Sequence, residues 1–163
     1  MKNTLKIASV LTWFNLIIWG IFSAMGLLGA LMGGNPYLLV VTFLTGVTVL
    51  HSYASLKLHR SIRHSNVPLS DQTPVGIRFI GFIALFFGIF YIADGFGVLQ
   101  NTQNFVKLMT PQLPPEYKQV DLAAYLRGIG IFCIITGICI SVNVFLNFRL
   151  LRWYYLVKQS DIS

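Results

Sequence analysis

The chain has 163 residues, 55% of them hydrophobic and 10% charged, with a mean hydropathy of +0.70. Soluble domains carry about 25% charged residues, so this composition excludes an ordinary water-soluble fold and points to lipid as the solvent. The net charge of +7 would suggest nucleic acid in a soluble protein. Here the basic residues flank apolar runs, a placement that serves membrane topology and anionic lipid instead.

Lys2 and Lys6 precede an apolar run from Ile7 to Met32. A secretory h-region spans about 7–15 residues; this run is longer and shows no small-residue cleavage motif after a short core. It reads as a retained first span over about 5–32. Gly33-Gly34-Asn35-Pro36 makes a turn in which Asn35 caps the next helix and Pro36 occupies its first position, where a missing N–H costs nothing. The second span covers about 37–58, and a basic, polar loop follows over 59–74. Thr73-Pro74 repeats the cap-plus-proline signal before a third span over about 75–99.

The connection 101–121 contains Pro111, Pro114 and Pro115, so no long helix can cross it. Phe105, Val106, Leu108 and Met109 suit a short helical turn on the membrane surface. Asp121 is placed to cap a fourth span over about 122–146, with helix continuing through Arg149 and Arg152 towards Tyr155. Each span has the ~20 apolar residues a bilayer core requires. The expected fold is an all-α membrane protein, with four transmembrane helices in an up-down bundle forming one polytopic domain, 1–163.

Nine basic residues (Lys2, Lys6, Lys57, Arg60, Arg63, Arg78, Arg149, Arg152 and Lys158) fall on one side, against Lys107, Lys118 and Arg127 on the other. The positive-inside rule then places both termini and the loop 59–74 in the cytoplasm, with the plasma membrane, such as a bacterial inner membrane, as the expected location. A tandem two-helix repeat is suggested by Gly20-Ile21-Phe22 beside Gly88-Ile89-Phe90, and by Thr45-Gly46-Val47 beside Thr136-Gly137-Ile138. Chance agreement within a small apolar alphabet gives the same pattern.

Small residues allow close helix approach inside a bilayer. Gly81, Ala84, Gly88 and Gly95 share one face of the third span, and Cys133, Gly137 and Ser141 one face of the fourth. Gly20, Ala24, Gly29 and Gly33 mark the first. These stripes are expected helix seams, with a dimer surface as the other use. Cys133 and Cys139 lie six residues apart on one helix and point to different sides, so they cannot bridge each other.

Two charges interrupt apolar stretches: Asp94 and Arg127, each about six residues from the outer end of its span and hence ~9 Å deep. An intramembrane charge seeks a partner or a wet site, so an Asp94–Arg127 ion pair is expected across the third and fourth spans. It would serve either as a register lock or as a proton or solute site. His51, Asn143 and Asn147 are secondary polar positions, able to bond between helices or to line a cytoplasmic vestibule. His59 and His64 are expected at the headgroups, and no spacing of the three imidazoles suits a metal. No nucleophile elbow, phosphate loop, HExxH or CxxC motif occurs, so neither catalytic residues nor a cofactor is expected.

Three functions remain open. The first is a non-catalytic membrane component acting as a subunit, assembly or interaction partner, with lipid and a second membrane protein or further copies of itself as its partners. The second is a small oligomeric transporter or channel-like protein using Asp94 and Arg127. The third is an intramembrane enzyme or redox subunit.

Overall fold

In a computed structural model, residues 2–64, 66–112, 114 and 121–160 are described, the last three without side-chain placement. Of the described residues, 92% are helical. It forms α1 (Lys2–Gly33), α2 (Pro36–Arg63), α3 (Gln72–Gln100), α4 (Thr102–Met109) and α5 (Leu122–Ser160), with a 3-10 turn at Thr110–Gln112. Among the described residues there is no strand. Four of these helices, α1, α2, α3 and α5, are long and apolar enough to cross a membrane, as an integral membrane protein requires.

The helix starts follow local chemistry. Gly34 takes φ +61°, a backbone conformation glycine adopts without penalty, and its N–H bonds the Ala30 carbonyl at 3.0 Å. Asn35 Oδ1 then accepts from the Tyr37 N–H at 3.0 Å, with Pro36 in the first turn of α2. Asp121 Oδ1 accepts from the Ala124 N–H at 3.0 Å at the start of α5. One boundary moves: α3 begins at Gln72, so Thr73 lies inside the first turn and its N–H bonds the Ser70 carbonyl. The surface segment expected around Phe105 is the helix α4. Pro115, Tyr117 and Lys118 of that connection lie outside the described residues.

Contacts cluster in two compact units: Met1–Phe87 with Cys139–Ser163, and Gly88–Ile138. The first unit contains the α1–α2 hairpin. Its helices approach closely at Gly26, where an added Cβ would stand 2.6 Å from Thr42 Oγ1. Gly29 meets Leu38 at 3.1 Å on the same basis. Gly20 and Gly33, expected on this seam, have open space around them; the helix turns its Gly26 side to α2 instead. An apolar cluster of Ala8, Leu58, Leu69, Ile77, Leu150 and Leu151 closes the end of the unit that carries Arg60 and Arg63. Trp19 is fully buried, edge-on to Phe87 at 5.4 Å.

The second unit is held by backbone proximity. A Cβ on Gly95 would stand 2.6 Å from the Gly130 carbonyl oxygen, and one on Gly137 would stand 2.6 Å from the Gly88 carbonyl oxygen. Seven residues separate the glycines on each helix, so α3 and α5 cross in one antiparallel register through the unit. No larger side chain fits at either contact.

Candidate functional site: a buried polar seam

The first unit contains a line of polar side chains with no access to solvent. Asn15, Thr12, Asn143, Asn147 and His59 are buried, at 0–2% exposure. Thr12 Oγ1 donates to Asn143 Oδ1 at 2.8 Å. Asn147 Nδ2 donates to the Asn143 carbonyl at 2.8 Å and to Asn143 Oδ1 at 3.0 Å. Those donations fix the Asn147 amide, leaving its Oδ1 facing His59 Nε2 at 2.7 Å. An amide oxygen only accepts, so His59 carries a proton on Nε2. Asn15 Nδ2 donates to the Cys139 carbonyl at 3.4 Å. The network thus joins α1, α2 and α5.

A second group lies on α2 itself. Thr48, His51, Ser52, Ser55 and His59 recur at steps of three and four, which places them on one helix face. All are buried. Six buried residues of the seam, these five and Asn15, hold seven polar atoms without a hydrogen-bond partner: Asn15 Oδ1, Thr48 Oγ1, both His51 ring nitrogens, Ser52 Oγ, Ser55 Oγ and His59 Nδ1. A serine or threonine hydroxyl can turn to the carbonyl one helical turn back. The imidazole nitrogens have no such recourse: the Ile77 backbone makes only a looser polar contact to His51, and a buried nitrogen left orphaned costs about 1–3 kcal/mol. The His51 ring lies edge-on to Phe148, with centroids 6.5 Å apart, and its Cε1 would be 3.0 Å from a Cβ on Gly81. Gly81 therefore leaves room for the two rings.

The expected positions divide between the units. Asn143 and Asn147 lie together in the seam, and His51 lies on the α2 face that contributes to it. His59 is a correction: it is buried and bonded to Asn147 rather than placed at the headgroups. Burial follows from α2 running on to Arg63, five residues past the expected span end, and from α5 continuing beside it. His64 is exposed. Gly81 and Ala84 are buried in the first unit, and Gly88, Gly95 and Gly137 belong to the second. Ser141 is half-buried.

Asp94 and Arg127 both lie in the second unit and both are exposed. Among the described residues no ion pair joins them. The glycine register sets Arg127 level with Val98, one helical turn (~6 Å) from Asp94. Among the described residues no three His, Cys, Asp or Glu side chains gather as metal ligands would.

Thr12, Thr48 and Ser55 carry no mark in the sequence reading, and His59 is expected there at the headgroups. Their signal was available as the polar stripe on α2, which in lipid faces inward. Compared with known proteins, the chain matches no family model, no curated protein and no solved structure.

Proposed function

We propose that this small integral membrane protein is transporter- or channel-like, with its polar site in the α1–α2–α5 seam rather than at Asp94 and Arg127. The observation that supports this is the set of orphaned imidazole nitrogens at His51 and His59. In hydrocarbon such groups are satisfied by protein, by water or by a ligand; among the described residues the Ile77 backbone makes a looser polar contact to the His51 ring, and none meets His59 Nδ1 with hydrogen-bond geometry. A seam entered by water can pass or hold a proton or a small polar solute. The arrangement of basic residues supports an orientation with both termini in the cytoplasm, which would put the His59 end of the seam nearer that side.

Thiol accessibility tests the reading. With Cys133 and Cys139 replaced by Ala, Ser52→Cys and Ser55→Cys should react with a charged, membrane-impermeant thiol reagent, while Ala84→Cys should not. Proteoliposomes should then show proton or solute flux that His51→Phe abolishes. Unreactive cysteines at 52 and 55 would mean a dry seam that only glues helices.

One observation favours a second reading, a subunit or assembly component. The apolar window of α1 is 11% buried, against 33% for α2 and α5. A helix so little enclosed by its own chain has a large face for lipid, a membrane protein partner or a second copy. Cross-linking from α1 in native membranes, followed by mass spectrometry, separates these occupants.

A further inference from the structure

We propose that the basic end of the first unit binds one anionic phospholipid between α3 and α5, with Arg78 and Arg152 holding its phosphate. The inference does not depend on the hydrated seam.

A cavity of about 300 Å³ lies there, lined by Arg78, Phe82, Phe148, Leu151 and Arg152. That is the small end of the range for ligand pockets, ~300–1,000 Å³, and suits a headgroup rather than a whole lipid. The order of the lining residues is the informative point. Phe82 follows Arg78 by four residues on α3, and Phe148 precedes Arg152 by four on α5. Helix α3 starts at the basic end and α5 finishes there, so both phenylalanines lie one turn (~6 Å) deeper than their arginines. Charge at the rim and aromatic surface below reproduce the polarity of an amphiphile. The two rings touch, with centroids 5.4 Å apart, and Phe82 is itself exposed, so an acyl chain can lie along it.

The arginines are free to serve. Both are exposed, and among the described residues neither has a carboxylate partner. The Arg78 guanidinium stands 5.9 Å from the Tyr155 ring centroid. That contact uses no hydrogen-bond acceptor, so the N–H donors remain for a planar, two-point bond to phosphate oxygens. Basic pockets between transmembrane helices on the cytoplasmic side recognise anionic headgroups by this chemistry. A soluble phosphate would gain the same ion pairs, but nothing from Phe82 and Phe148, which is why a lipid is the favoured occupant.

The test uses the full chain purified in neutral detergent and native mass spectrometry with phosphatidylglycerol and phosphatidylcholine in equal amounts. Phosphatidylglycerol should be retained preferentially. Each of Arg78→Gln and Arg152→Gln should reduce that preference by roughly fivefold, the worth of one basic residue near a headgroup. Arg60→Gln removes a charge from the same end without touching the cavity and should leave the preference unchanged. Arg78→Lys with Arg152→Lys keeps the charge and should retain the preference in part, which guards against misfolding of the glutamine variants. Equal retention of both lipids by the wild type overturns the proposal. So does an Arg60→Gln loss as large as that of Arg78→Gln, which would mean diffuse attraction. Displacement of phosphatidylglycerol by inorganic phosphate at matched concentration would assign the cavity to a soluble anion and equally overturn it.

Discussion

The two units solve the same packing problem by different means. In Gly88–Ile138, helices meet where glycine lets one backbone touch the other, at Gly95 against Gly130 and Gly137 against Gly88. The first unit adds to its glycine contacts at Gly26 and Gly29 a set of side-chain hydrogen bonds through Thr12, Asn143, Asn147 and His59. Nine of the twelve basic residues also belong to the first unit. Lipid offers helices no hydrophobic reason to associate, so close approach and polar bonding are the two available forces. A glycine contact has no further use once formed. A polar seam has donors and acceptors to spare, and that surplus is what makes the first unit the candidate site.

Breaking the glycine contacts should do the most damage. Gly137→Val puts branched carbon against the Gly88 carbonyl, and backbone cannot yield as a side chain can. A loss of about 3 kcal/mol or more is expected, at the upper end of overpacking costs, read as early unfolding in a detergent denaturation series. Next comes Asn147→Leu, which strands the His59 Nε2–H and should cost about 1–3 kcal/mol. Adding His59→Leu should recover part of it, so a double-mutant cycle should give a coupling of about 0.5–3 kcal/mol; a coupling of zero would mean the bond is absent. Gly81→Ala meets only the rim of the Phe148 ring and the His51 ring, and should cost less than Gly137→Val because rings can shift. Asp94→Asn and Arg127→Gln should add independently, as unlinked sites do. Strong non-additivity there would restore the ion pair. Gly20→Ala, in open space, should act in the opposite direction and stabilise by up to about 1 kcal/mol through helix propensity.

The four long helices were legible because a span is a one-dimensional property: length and apolarity suffice. Caps were legible for the same local reason, as the bonds of Asn35 and Asp121 demonstrate. The site was only half legible. Asn143 and Asn147 stand out as amides four residues apart, but their partners Thr12 and His59 are 131 and 88 residues away in the chain. His59 is buried although the basic residues after it resemble a membrane exit, because α2 runs on through them to Arg63. Asp94 and Arg127 drew attention as charges in apolar surroundings. Which way a charge faces depends on rotational register, and here the glycines 88, 95, 130 and 137 take the contact face and turn both charges outward.

Helix α5 holds 39 residues, a rod of ~58 Å where the hydrocarbon layer is ~30 Å thick. Even strongly tilted, it cannot hide its whole length in fatty acid. At least one of its ends must pass beyond the hydrocarbon, and a reporter fused behind the last turn would emerge on a single face of the membrane. A protease supplied to one side of sealed vesicles would then read, by releasing or sparing that reporter, which way the protein is threaded.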